Sequence, residues 1–363
     1  MAVTVGELAE LLGADAAGDL HAIVSRPAQP DEAREGDLAL AMEPRFLDAL
    51  ATSPARVAIV LSGTDWSALG LDAVLFSGRS KYTLAGLSRV FDTQPSLPEG
   101  IHPTAVVDDT ATLGEGCRIG PYVVIGPQVA IGARARIEAH VSIGARSVVG
   151  DDAQIFAGCR IAHDVRIGDR FIGQSNAVIG GDGFSFVSPQ PSAAETYMAT
   201  GSIEQSMKVT EYVRINSLGG VVIGDDVEVG PAATIDKGTV TDTRIGNGTK
   251  LDSQAHVGHN VQIGENVLLC GQSGIAGSTK IGDRVILGGQ VGVADNISIG
   301  ADSIALAGSG VTTRVPERTV VMGYPALKQD VFLNIFKAMR RLPRMAQKLT
   351  EMQKQVPNDR DTG

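Results

Sequence analysis

Arg118-Ile-Gly-Pro-Tyr-Val-Val-Ile-Gly-Pro-Gln-Val-Ala-Ile-Gly-Ala-Arg-Ala-Arg-Ile137 decides the fold. Ile119, Ile125, Ile131 and Ile137 stand six apart, and the beat runs from Ile101 to Ile167 through Val107, Leu113, Ile143, Val149, Ile155 and Ile161. It returns at Ile223, Val229 and Ile235. Ile235 to Ile245 is one hexad plus four residues, which predicts a small bulging loop. From Ile245 the register holds through Leu251, Val257, Ile263, Leu269, Ile275, Ile281, Leu287, Val293, Ile299, Ala305 and Val311. Four residues after each large aliphatic comes a small or branched one, such as Ala105, Cys117, Val123, Ala135, Ser147 and Cys159. Neither a 3.6-residue period nor simple alternation accounts for this pattern, which disfavours helices and an ordinary sandwich. A fixed short period marks a repeat solenoid.

The pattern resembles the hexapeptide-repeat, left-handed parallel β-helix, a mainly-β fold. The resemblance implies three hexads to one triangular coil, and a hand opposite to that of ordinary parallel crossovers. With adjacent strands about 4.8 Å apart, roughly ten coils make a prism on the order of 50 Å long.

Outside the beat the chain reads differently. Residues 1–100 read as a small α/β domain. Thr4-Val-Gly-Glu7 has the capping-box pattern and opens a short helix ending near Gly13. Val57–Leu61 and Ala73–Phe76 read as buried strands, and Ser80–Phe91 as a helix with Ser80 as its cap. Pro95 and Pro98 mark the join to the solenoid, residues 101–326. Residues 185–212 interrupt the beat with Ser, Pro, Thr and Gly, and read as a projecting loop of the functional kind. The last segment, 327–363, opens with helical spacing at Leu327, Val331, Ile335, Met339, Leu342, Met345, Leu349 and Met352. Pro343 is expected to kink or divide that helix. Leu327–Gln355 carries seven basic residues against two acidic ones. That suits either a solvated face on a capping helix or a docking surface for an acidic partner.

Composition narrows the function. A net charge of −10 argues against a general nucleic-acid binder. Aromatics are 4% and glycines number 44, which suits aliphatic packing with tight glycine corners. Two of three cysteines fall at small inward positions, so reduced thiols and a reducing, cytoplasmic compartment are expected. The opening Met1-Ala-Val-Thr-Val-Gly-Glu-Leu-Ala-Glu10 has neither a basic start nor an apolar run after it, so no signal peptide is expected. No apolar run is long enough to span a membrane.

The chemistry-bearing stretch is Leu251-Asp-Ser-Gln-Ala-His-Val-Gly-His-Asn260. His259 lies two residues past inward Val257, and three hexads on is Gly277. One rung of a parallel ladder, about 5 Å, would separate them. An imidazole titrates near pH 6.5 in water, so it can take a proton from a nucleophile at neutral pH. A glycine N–H one rung along can stabilise an oxyanion. Histidines on a solenoid face are often simple surface residues, and the local context argues against that here. His256-Val-Gly-His259 could also supply two metal ligands. Against this, no third histidine falls at a matching distance, since His163 and His140 are more than five coils away by count.

One family joins these pieces. Ile179-Gly-Gly-Asp-Gly-Phe184-Ser-Phe186, Ile235-Asp-Lys-Gly238, Ile245-Gly-Asn-Gly248, His256-Val-Gly-His-Asn-Val-Gln-Ile-Gly264 and Gly323-Tyr-Pro-Ala326 resemble UDP-3-O-(3-hydroxyacyl)glucosamine N-acyltransferase of lipid A biosynthesis. The resemblance covers almost the whole chain. It implies transfer of a 3-hydroxyacyl group from acyl carrier protein to the 2-amino group of a UDP-linked, 3-O-acylated glucosamine, without a cofactor. It implies His259 as general base, Asp252 as the carboxylate that orients it and Gly277 as the oxyanion donor. His256 and Asp236 belong to the substrate-binding set. The active sites would lie between subunits of a homotrimer. Phe46, in Glu43-Pro44-Arg45-Phe46, would stack on uracil. This sequence departs from the family at Glu43 (commonly Asn), Leu40 (often a second aromatic) and Asn296 (often His, near the sugar-phosphate). Asn296 can donate a hydrogen bond but carries no charge. An acidic acyl carrier protein would suit the basic C-terminal helix. Two other readings stay open: a hexapeptide O-acyltransferase of a UDP-amino sugar, and a non-catalytic scaffold.

Overall fold

The computed structural model describes residues 2–93, 97–202, 211–323 and 326–355. Pro95, Tyr324 and Pro325, residues 203–210 of the projecting loop and the tail from 356 lie outside the described residues. The chain divides into two compact units, Met1–Ser96 and Leu97–Gly363.

The first unit is an α/β layer. Thr4 caps the helix Val5–Leu12 and Glu7 reaches back to the Thr4 N–H, so two orphan donors are satisfied reciprocally. Gly13 closes the helix in the left-handed conformation at φ 58°. A five-stranded sheet holds Leu38–Ala41, Val57–Leu61 and Ala73–Ser77 side by side in parallel. Ser80 is the first residue of the helix Ser80–Val90 rather than its cap. Arg79 takes the cap position, and the Ser80 hydroxyl donates to the Met42 carbonyl at 2.8 Å.

The second unit is a parallel β-helix. Each two-residue strand pairs with the strand one coil on, as in Ile119↔Ile137, Ile125↔Ile143 and Ile131↔Val149. Three sheets of nine, ten and eleven strands form the faces. The large aliphatics of the beat stack inward. Ile137, Ile155, Ile179 and Ile235 are fully buried, each stabilising the solenoid by about 1.5–3 kcal/mol. Two insertions keep the register. Ile167 pairs with Ile223 across the projecting segment, and Thr234 pairs with His256 across the four-residue bulge.

Two sequence expectations need correction. The corners are not primarily glycine positions. Non-glycine residues such as Arg134, Asp152, Gln272 and Asn296 take φ of 57–59° at the corner position that needs it. Where a glycine follows the large aliphatic it is there for close approach instead: a Cβ on Gly132 would lie 2.6 Å from the Asp151 nitrogen. Side chains then satisfy the corner N–H groups in a ladder, with Ala133 donating to Asp151, Asp151 to Asp169 and Asp169 to Asp225 at 2.8–2.9 Å. The projecting segment also has structure of its own. It contains an antiparallel pair, Phe186–Val187 with Val213–Arg214, and a helix, Ala193–Thr200, opened by a Ser192/Glu195 capping box.

The beat also crosses one position where its sizes reverse. Gly173 stands where a large aliphatic is due and Phe171 where a small residue is due. Phe171 is fully buried, and a Cβ on Gly173 would lie 2.9 Å from its ring. One ring therefore fills both places. At the C-terminus, Gln329–Gln355 forms a single helix with Pro343 inside it, not two. Its described side chains are exposed throughout.

Candidate active site

His259 and Gly277 occupy successive rungs of one corner of the prism. Val257 pairs with Ile275, and each site residue follows two positions later. The imidazole lies over the Gly277 Cα, in the space a side chain there would need. Among the described residues nothing accepts the Gly277 N–H. Asp295, one coil on, is placed like the ladder carboxylates, but it accepts from Asn296 Nδ2 at 2.8 Å instead. A cavity of about 580 Å³ opens beside the pair. One end is polar, with Asp236, His256 and His259. The other is floored by Gly274, Ala276, Gly292 and Ala294. Outward glycines at 274 and 292 leave that floor flat, with open space where side chains would stand.

His256 is held by Thr234, whose Oγ1 lies 2.8 Å from its Nδ1. Its Nε2 is 3.8 Å from the Asp236 carboxylate. Burial pushes the Asp236 carboxyl above the ordinary range, against the pull of His256 and His259. His259 Nδ1 lies 3.1 Å from Asn260 Oδ1. Behind His259 runs the neck of the projecting segment: a Cβ on Gly183 would lie 2.7 Å from the His259 Cβ. Phe184 follows, 86% exposed, as a wall of the cavity. It meets Phe186 edge-on at 5.1 Å, and Arg214 covers Phe186.

Sequence reading named His259, His256, Asp236 and Gly277, and all four line this cavity. Asp252 does not join them within the chain. It follows the strand Lys250–Leu251 on a different face and lines a second cavity of about 440 Å³, with Glu228 and Cys270. The atom facing His259 Nδ1 is Asn260 Oδ1. Asn296 sits at the same corner as Gly277, one coil further, where its N–H donates to the Gly277 carbonyl at 3.1 Å.

His163 is closer than residue counting suggests. Ile161, Ile179, Ile235 and Val257 are successive ladder partners, so His163 lies three coils from His259 on the same corner. Counting fails because the two insertions add residues without adding coils. His163 is taken up by Asp164, at 2.5 Å, and by buried Lys237, whose Nζ lies 2.7 Å from Nε2. Burial holds the Lys237 amine below the ordinary lysine range. Among the described residues no cluster of three or more side chains is arranged to hold a metal, and no helix is long and apolar enough to cross a membrane.

Glu43 and Phe46 belong to the first unit. Phe46 packs under the sheet with Leu47 and Trp66, and the Arg45 guanidinium stacks on its ring at 4.7 Å while pairing with Glu43 at 2.9 Å. Leu40 packs into the cluster on the other face of that sheet, so it does not oppose Phe46. Phe184, Asn260 and Lys237 are the site neighbours that sequence reading left without roles. The first was legible in Gly181-Asp-Gly-Phe184, but the broken beat hid which coil it reaches.

Comparison with known proteins bears on the family and the fold. Residues 242–277 match the bacterial transferase hexapeptide (six repeats) family. Residues 101–182 match the GMPPB C-terminal domain. The UDP-3-O-acylglucosamine N-acyltransferase of Ruegeria pomeroyi is 46% identical over 98% of this chain and 98% of its own length. That of Paracoccus denitrificans is 47% identical over 72% of this chain and 71% of its own. Among solved structures, an Arabidopsis UDP-N-acetylglucosamine acyltransferase shares the fold, with a TM-score of 0.52 at 20% identity over 62% of this chain and 71% of that one. The chain is an acyltransferase, and it belongs to the UDP-3-O-acylglucosamine N-acyltransferase family.

Proposed function

We propose that this chain transfers a 3-hydroxyacyl group from a thioester on acyl carrier protein to the 2-amino group of UDP-3-O-(3-hydroxyacyl)glucosamine, a cytoplasmic step of lipid A biosynthesis. The observation that carries the reading is the His259 imidazole lying over Gly277, whose N–H has no acceptor among the described residues, both lining a mostly apolar cavity. The amine attacks the thioester carbonyl while His259 Nε2 takes its proton. The Gly277 N–H donates to the oxyanion of the tetrahedral intermediate. Collapse expels the pantetheine thiolate, which recovers the proton from the imidazolium. No cofactor enters this sequence.

The cavity suits that division of labour. Its polar end, with Asp236 and His256, takes the amino sugar, and its glycine-alanine floor takes the acyl chain. Asn296, at the rim of the same corner, serves the sugar-phosphate. In the first unit Phe46 stacks on uracil beside Glu43. The basic helix Gln329–Gln355 receives the acidic carrier. Asp252 reaches a His259 only if a second copy is present. That requirement supports a homotrimer with active sites between subunits.

The deciding experiment offers a panel of acyl carrier protein thioesters with both the 3-O-acylated amino sugar and an unacylated UDP-sugar, and reads products by mass spectrometry. N-acylation of the first acceptor is expected, with a loss on the order of 10²-fold or more in His259→Ala. O-acylation of the second would move the chain to another hexapeptide activity. Full activity in His259→Ala would remove the base assignment.

A further inference from the structure

We propose that Asn260 is the positioning residue that holds His259 as its Nδ1–H tautomer, and that the four-residue bulge after Asp236 serves to aim Asn260. The inference rests on His259 acting as the general base. The amide orientation follows from its neighbours. Asn260 Nδ2 lies 2.9 Å from the Thr241 carbonyl, which can only accept, and 3.0 Å from Thr241 Oγ1. Asn260 Oδ1 lies 3.0 Å from the Thr239 backbone nitrogen, which can only donate. Two main-chain groups of opposite sense therefore fix which end is oxygen, the point usually left open for an asparagine.

The consequence falls on the imidazole. Oδ1 is an acceptor only, so His259 Nδ1 at 3.1 Å carries the proton. Nε2 is then the bare nitrogen, and Nε2 is an atom lying over Gly277.

The bulge explains how the amide is aimed. Thr239 and Thr241 lie in the extra residues that separate Thr234 from its ladder partner His256. A regular coil would have no second chain at this corner to grip Asn260. Thr243 completes the grip, with its Oγ1 accepting the Asn260 N–H at 2.9 Å. Asn260 itself has φ 61°, a conformation open to Asn, Asp and Gly. Substitution by Asp or Gly therefore tests the side chain without straining the backbone.

The test uses the full-length protein, with pH profiles of kcat/KM and nitrogen NMR of ¹⁵N-histidine-labelled protein. Asp236 and His256 line the same cavity as His259, and both stay in place in these variants, as does the Asp252 that a second copy would bring. The parent is expected to show His259 protonated at Nδ1. Asn260→Gly is expected to lose that preference and about 10²-fold in kcat/KM. Asn260→Asp keeps an acceptor toward Nδ1 but sets its second oxygen against the Thr241 carbonyl, so it is expected to fall between the parent and Asn260→Gly in kcat/KM. Two results would overturn the proposal: an Asn260→Gly variant that keeps the Nδ1–H tautomer, whatever its activity, or an Asn260→Gly variant with parental kcat/KM. Failure of the base assignment is separate, because it would appear as full activity in His259→Ala with Asn260 intact.

Discussion

The imidazole of His259 fills the volume that a side chain at residue 277 would occupy. A Cβ on Gly277 would lie 2.6 Å from Cε1 and 2.7 Å from Nε2. Glycine is required there for what it leaves empty, and its φ is not in the left-handed range. The same absence exposes its N–H. One residue choice thus serves the base and the oxyanion donor together.

Gly277→Ala should therefore displace the ring while sparing the backbone and its N–H. The expected result is a loss of about 10²-fold in kcat, the scale of a catalytic group moved by about 1 Å. Melting temperature should change little. A variant that keeps parental kcat would show that the ring moves freely without cost.

Asp252 and His259 sit on different faces of one chain. If the site forms between copies, two inactive variants should complement each other. Mixed unfolding and refolding of His259→Ala with Asp252→Ala should recover a measurable fraction of parental acyl transfer. Activity no higher than in either variant alone would place the working site within one chain.

Asp236 is half-buried and its carboxyl is pushed up by desolvation. With the folded value above the unfolded one, the native state holds the proton more tightly, so stability falls as pH rises through that window. Asp236→Asn should melt higher than the parent at neutral pH, and the difference should vanish below about pH 3.8, the ordinary value for the unfolded chain. The same variant should bind the amino-sugar acceptor less well. An unchanged melting difference across the acid range would exclude Asp236 ionisation as the cause.

The reversed pair Phe171 and Gly173 makes a packing prediction. Phe171→Val should cost about 3 kcal/mol by opening a cavity, within the range for large-to-small core changes. Gly173→Ile should also destabilise, since a Cβ there would lie 2.9 Å from the ring. Together they restore the ordinary large-small order, and the double variant should recover most of the loss in a denaturant titration. Simple additivity of the two losses would show that the ring and the glycine are not paired.

Sequence alone determined the repeat, the inward aliphatics and the one-rung relation of His259 to Gly277. Each is a consequence of a strict period, and a period survives in one dimension. The same arithmetic failed wherever residues were added without adding coils. It put His163 too far away, although Ile161 reaches Val257 in three ladder steps. It could not say that Phe184 turns back onto the cavity, nor that Thr239 and Thr241 grip Asn260. Family resemblance assigned Asp252 a role that one chain's geometry does not complete. Tertiary structure decided these points because a corner of the prism collects side chains from successive coils and from both insertions. Which of them meet is set by stacking and by hydrogen-bond direction, and neither leaves a mark in spacing along the chain.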